Sequence, residues 1–205
     1  MNYDRSSRFQ EEVLNPEKTF SMKVYRFPVF IKDFLAFLTD TPALIKCLFS
    51  RRINRDFESK IMLTVTSVNG CSYCAWFHSR EALKAGLDQD QVQSLLARGS
   101  QRGIKEMELA ALNFAVHYAE TSQKPDPELT ENLYSLYGKE TADEIMVRLR
   151  QIYFGNLCGN TYKAFLSRLK GVKAEGSFWL SELAVFLFTL PLFGPISLLM
   201  KKKEK

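Results

Sequence analysis

The stretch Val68-Asn69-Gly70-Cys71-Ser72-Tyr73-Cys74-Ala75-Trp76-Phe77-His78 decides how this chain is read. It holds two of the four cysteines and one of the two histidines. The apolar run Ile61-Met62-Leu63-Thr64-Val65 precedes it, and Asn69-Gly70 offers a turn. Ser79-Arg80-Glu81-Ala82-Leu83-Lys84-Ala85 then continues with good helix formers. The pattern predicts a helix from about Cys71 to Ala85, with Cys71 in its first turn and Gly86 ending it as the C′ residue. On such a helix Cys71, Cys74 and His78 stand at i, i+3 and i+7, so two thiols and an imidazole share one face.

A free thiol has a pKa of about 8.5, and only its thiolate is a good nucleophile. A helix N-terminus and a nearby imidazole both favour the thiolate. Two cysteines at this spacing can close a small disulfide, so one can attack an oxidised substrate and the other resolve the intermediate. His78, one turn beyond Cys74, is its natural base. The residues therefore suggest a redox dithiol with an activator beside it. Two other readings compete: a pair of buried small hydrophobes, and a zinc site in which Cys158 or Glu58 adds a fourth ligand to Cys71, Cys74 and His78. Against zinc, the chain has no second Cys-x-x-Cys and no His-x-x-x-His.

At 205 residues and 46% hydrophobic composition the chain can bury a proper core. Helix formers dominate and alternating strand patterns are scarce, so the expected class is all-α. The net charge of +5 is modest and Lys and Arg are mixed with acids, which gives no nucleic-acid footprint. No Gly-rich phosphate loop or dinucleotide fingerprint occurs. The polar start Met1-Asn2-Tyr3-Asp4-Arg5-Ser6 lacks the plan of a secretory signal, so a cytoplasmic location is expected. Thiols there are kept reduced, which favours a catalytic or metal-binding Cys-x-x-Cys over a static staple. Cys47 and Cys158 stand alone and read as core thiols.

Three regions follow: a polar lead over 1–22, a helical domain over 23–173 and an apolar tail over 174–205. Val24 to Phe49 reads as two packed helices separated near Thr39-Asp40-Thr41-Pro42, with Thr41 capping the second. Arg51 to Asp56 is a polar joint. Phe57 to Val68 has helical spacing and carries Glu58 towards the cysteines. A short helix opens at Asp88 and closes by Gly99 or Gly103. Glu106 to Thr121 is amphipathic and bears His117, read as a surface or interface histidine. Beyond the break Pro125-Asp126-Pro127, three more helices are expected: Glu128 to Tyr137, Ala142 to Tyr153 and Asn156 to Leu169. Asn156 and Asn160 either face the site or hold neighbouring backbone, and the second is preferred.

In the tail, Phe178 to Met200 is strongly apolar and a candidate for membrane contact, with Leu183 to Met200 free of charge, and Lys201-Lys202-Lys203-Glu204-Lys205 follows. Eighteen residues reach the lower end of the about 17 to 25 that span a bilayer. Pro191, Gly194 and Pro195 argue for a kinked or re-entrant segment at the interface, with lysines held against anionic lipid. An arm buried against a partner subunit is the other reading.

The run from Val68 to His78, the apolar helix before it, and Ile104-Lys105-Glu106-Met107-Glu108-Leu109-Ala110-Ala111-Leu112-Asn113-Phe114-Ala115 resemble the alkylhydroperoxidase D-like family of the carboxymuconolactone decarboxylase superfamily. The likeness covers roughly Pro42 to Gly171. It implies an all-helical fold, assembly as a homo-oligomer, and a cofactor-free peroxidase or thiol-disulfide activity. In the mechanism it implies, Cys74 attacks the distal oxygen of a hydroperoxide, Cys71 resolves the sulfenic acid as a disulfide, and His78 handles the proton. A small-molecule hydroperoxide or disulfide and a dithiol reductant would be the partners. The family sets a glutamate twelve residues before the first cysteine to orient the histidine, and Ser59 stands there in this chain. Glu58, its neighbour, faces about 100° away on a helix. Without that carboxylate the histidine is a weaker base, and dithiol exchange becomes a better description than fast peroxidase turnover. Members of the superfamily without the cysteines decarboxylate a lactone acid, for which this chain offers no basic constellation.

Overall fold

The computed structural model describes residues 20–50, 52–97 and 104–203. Most of the expected polar lead therefore lies outside the described residues, as do Gly99 and Gly103. Within them the chain forms eight helices and no strand, in agreement with an all-α reading. These are α1 (Phe27–Phe49), α2 (Arg55–Asn69), α3 (Ser72–Lys84), α4 (Gln89–Leu96), α5 (Glu106–Glu120), α6 (Pro127–Tyr137), α7 (Lys139–Arg168) and α8 (Trp179–Lys203).

The bundle is built around α2 and α7. Asn54 caps α2 by accepting the Phe57 N–H at 2.8 Å. From there Ile61, Leu63 and Val65 are fully buried, so α2 is wrapped on nearly every side by α3, α4, α5 and α7. Gly70 ends it at φ +73°, where its N–H reaches Thr66 O at 2.8 Å. This left-handed residue turns the chain directly into α3, and an L side chain there would be strained. At the far end of α3, Gly86 (φ +102°) and Leu87 donate back to Leu83 and Ala82, closing a Schellman motif as the Gly86 C′ reading expects.

Three expected boundaries are absent. Val24 to Phe49 is not two helices: α1 runs unbroken with Pro42 inside it. The Thr41 hydroxyl does not cap a new helix but donates to Phe37 O one turn back. Packing outweighs the proline, because Phe30, Phe34 and Phe37 stack on Phe154 of α7 along one face. The two helices expected over Ala142–Tyr153 and Asn156–Leu169 are likewise one, α7, continuing through Gly155 and Gly159. The tail is also a single helix, α8, which contains both Pro191 and Pro195 and packs along α7 and α3. Its segment Trp179–Lys201 is long and apolar enough to cross a membrane by length and composition.

Candidate functional site

Cys71 is the N-cap of α3 rather than part of its first turn, with extended backbone at φ −75° and ψ 104°. Its Sγ accepts the Cys74 N–H at 3.2 Å, the bond an N-cap oxygen would ordinarily take. Cys71 and Cys74 are joined as a disulfide with Cα atoms 5.3 Å apart. On the opposite side Cys74 Sγ lies 3.7 Å from Gly155 O of α7. Cys71 is fully buried and Cys74 is 6% exposed.

The close approach of α3 to α7 depends on Gly159. A Cβ there would stand 2.6 Å from Cys71 Sγ and 3.2–3.3 Å from the Phe193 ring of α8. Only a residue without a side chain lets the sulfur and the ring meet α7 at this point. Phe193 also packs on Tyr73 and Tyr162, so α8 forms the outer cover of the cysteine pair. Neither Gly159 nor Phe193 figures in the sequence reading. The spacing of Gly155 and Gly159, i and i+4 on one helical face, was the available signal for a close contact.

Asn160 holds backbone as preferred: its Nδ2 donates to Asn69 O at 2.8 Å and to Lys23 O at 3.2 Å, pinning the residues that lead into Gly70 and Cys71. Asn156 Oδ1 accepts from the Thr66 hydroxyl at 3.2 Å. Both asparagines are fully buried, which ties α7 firmly to the C-terminal end of α2.

His78 sits on α3 beside Phe77, ring edge to ring face at 5.2 Å between centroids, and makes no hydrogen bond to either sulfur. Burial pushes its imidazole from 6.5 down to about 4, with the Glu81 carboxylate pulling weakly the other way. At neutral pH the ring is therefore uncharged. It can accept a proton but is a weak base, and it supplies no positive charge to a thiolate.

Glu58 does not come to His78. Its carboxylate is taken by Arg148 Nη1 of α7, while Arg148 Nη2 donates to Cys47 O at 3.3 Å. Ser59 is 8% exposed. Next to it Lys60 spans Asp56 at 3.0 Å and Glu108 of α5 at 2.8 Å. Among the described residues no group of three or more His, Cys, Asp or Glu side chains is placed to hold a metal ion, so Cys71, Cys74, His78, Glu58 and Cys158 do not assemble as a zinc site. Cys158 and Cys47 are buried free thiols, and burial pushes both upward, away from reactivity. His117 lies apart, its Nε2 accepting the Asp126 N–H at 3.1 Å.

Fold and site together define an all-helical protein whose distinctive chemical group is a vicinal cysteine pair at a helix N-terminus. Residues 42–117 match the model of the carboxymuconolactone decarboxylase family, from Pro42 within α1 to His117 on α5, with the whole Cys-x-x-Cys-x-x-x-His run inside the match. This is the superfamily that the sequence resembles. No curated protein and no solved structure matches the chain.

Proposed function

We propose that the protein is a cysteine-dependent oxidoreductase in which Cys74 and Cys71 cycle between dithiol and disulfide, reducing hydroperoxides or exchanging disulfides. The observation that carries this reading is the Cys71–Cys74 pair at the start of α3, close enough to be bonded. Its exposure favours Cys74 as the attacking sulfur. The Cys74 N–H directed at Cys71 Sγ favours negative charge on Cys71 as the resolving one. With a hydroperoxide, the Cys74 thiolate takes the distal oxygen, the O–O bond breaks and the alcohol leaves. The Cys71 thiolate then attacks the resulting sulfenic sulfur, the S–O bond breaks, and the hydroxide leaves as water with a proton from solvent, forming the disulfide. An external dithiol returns both cysteines to the reduced state by exchange.

An uncharged His78 and a Glu58 held by Arg148 favour slow peroxide turnover relative to disulfide exchange. The test is turnover of an organic hydroperoxide with a dithiol reductant, beside reduction of a small disulfide. Cys74→Ser is expected to abolish both activities. Cys71→Ser is expected to leave a single stoichiometric turnover that stops at the sulfenic acid or mixed disulfide. Two variants that turn over like the wild type would overturn the reading.

A further inference from the structure

Exposed large apolar side chains concentrate on α1 and on 178–199: Phe27, Leu35, Leu38 and Phe49 on the first, Trp179, Leu187, Leu192 and Leu198 among those on the second. The two helices meet through Phe188, whose ring contacts Phe30 and Phe34 at 5.5 and 4.9 Å, so these faces form one continuous apolar surface. Lysines at 201–203 follow directly in sequence. An apolar helical face of bilayer length ending in a lysine cluster fits an anionic lipid surface: acyl chains take the side chains and headgroups take the ammonium groups.

The inner face of the same helix covers the cysteine pair, and the two halves of α8 are held differently. The first half is anchored by Glu182, fully buried and paired through both carboxylate oxygens with Arg168 of α7 at 2.6 and 2.8 Å. The second half has no such ion pair among the described residues. It is held by Phe193 on Tyr73 and Tyr162 and by Ile196 and Met200 against the core. Between the halves, Pro191 and Pro195 lack the N–H groups that would bond to Leu187 O and Pro191 O, which makes this the natural place to bend.

We propose that residues 191–203 are a lid over Cys71, and that docking of α8 on an anionic bilayer draws the lid off and opens the dithiol to its redox partners. The proposal takes the dithiol of the proposed function as the group being covered. Its readout is access to that group, independent of hydroperoxide turnover, so either idea can fail alone. The bilayer acts as a ligand for the open state and shifts the balance because Phe193, Ile196 and Met200, packed inward in the closed form, reach lipid only once the lid swings out.

The test is the rate at which dithiothreitol reduces the Cys71–Cys74 bond in the full-length protein, followed by mass spectrometry of the peptide that contains both cysteines. It is measured in buffer, with phosphatidylcholine vesicles, and with vesicles of equal parts phosphatidylcholine and phosphatidylglycerol. A closed lid leaves the open form at a few per cent or less, so the anionic vesicles are expected to raise the rate by about tenfold or more. Phosphatidylcholine alone should leave it near the buffer value. Phe193→Ala is expected to speed reduction in buffer and to blunt the vesicle effect, with far-UV circular dichroism confirming its helices. Vesicle binding without a faster reduction would overturn the lid. Failure to bind, with light scattering showing dimers, would overturn the lipid partner and give the apolar face to a second copy of the chain.

Discussion

The two halves of α2 are built on opposite principles. The half from Arg55 to Lys60 is charged: Glu58 pairs with Arg148, and Lys60 lies between Asp56 and Glu108, with the Lys60, Glu108 and Arg148 side chains all under a tenth exposed. The half from Thr64 to Asn69 is neutral: Thr66 bonds Asn156, and the Asn69 carbonyl is held by Asn160. Only the second half leads into the cysteines. Carboxylates thus tie α2 to α5 and α7, and among the described residues none hydrogen-bonds to His78 or to a sulfur. What tunes the sulfurs is the start of α3 and its Cys74 N–H, a dipole rather than a charged side chain.

The sharpest way to break this division is to remove a charge from the first half and watch the second. Burial lowers the Lys60 ammonium, but the hydrogen bonds it donates to Glu108 and Asp56 outweigh it and leave the group raised, charged at any physiological pH. Lys60→Met leaves the Glu108 carboxylate buried with only the Lys105 N–H at 3.2 Å and the exposed Lys105 ammonium at 4.0 Å, and is expected to cost about 3 kcal/mol in urea unfolding. The double variant Lys60→Met/Glu108→Met should recover most of that loss, since an apolar pair of similar volume needs no compensating charge. The rate of Cys71–Cys74 reduction in the folded single variant should match the wild type. A changed rate would mean that the two halves are electrostatically coupled after all.

The same division explains what could be read from the sequence. Local signals held where nothing opposed them: the helix that follows Gly70, the Gly86 helix end and the start at Asp88, whose carboxylate accepts the Gln91 N–H at 2.7 Å. They failed where long-range packing won. Pro42 in α1, the stretch Phe154-Gly155 in α7, and Pro191 and Pro195 in α8 all read as breaks, yet each helix runs through, kept whole by an aromatic or apolar face on its neighbour. The face shared by Cys71, Cys74 and His78 assumed that Cys71 was helical. As an extended N-cap it turns its sulfur back to the Cys74 amide instead. Glu58 was expected from its position near Ser59, and no local rule could show that Arg148, ninety residues on, would claim it. Phe193 is more than a hundred residues from the cysteines it covers, and its role exists only in the packed fold.

A neutral, half-buried His78 gives the second test, of similar reach. Its folded pKa of about 4 lies below the ordinary 6.5, so folding disfavours protonation. The associated stability is fully present above pH 6.5 and is lost as pH falls towards 4, by up to about 3 kcal/mol for the whole shift. His78→Leu removes this term. The difference in unfolding free energy between wild type and variant should therefore move against the wild type by that amount between pH 7 and pH 4. Differencing cancels the carboxylates common to both. A flat difference would mean that the ring is protonated in the folded state, and that a carboxylate reaches it after all.

The smallest expected effect separates two glycines one turn apart on α7. Around Gly155 a new Cβ meets nothing within 4 Å, so Gly155→Ala should stabilise the helix by about 0.5–1 kcal/mol through backbone entropy alone. At Gly159 the same methyl meets Cys71 Sγ at 2.6 Å, an overpacking that costs about 1–3 kcal/mol before that entropic gain is counted. The cost also depends on redox state. In the disulfide the sulfur is fixed by its bond to Cys74, whereas the free thiol can rotate away from the methyl. Gly159→Ala should therefore shift the thiol–disulfide equilibrium, measured against a dithiothreitol redox buffer, towards the dithiol, while Gly155→Ala leaves it in place. If both substitutions shift it equally, the approach of Cys71 to α7 is not what Gly159 provides, and the packing that sets the redox balance of the cysteines must lie elsewhere.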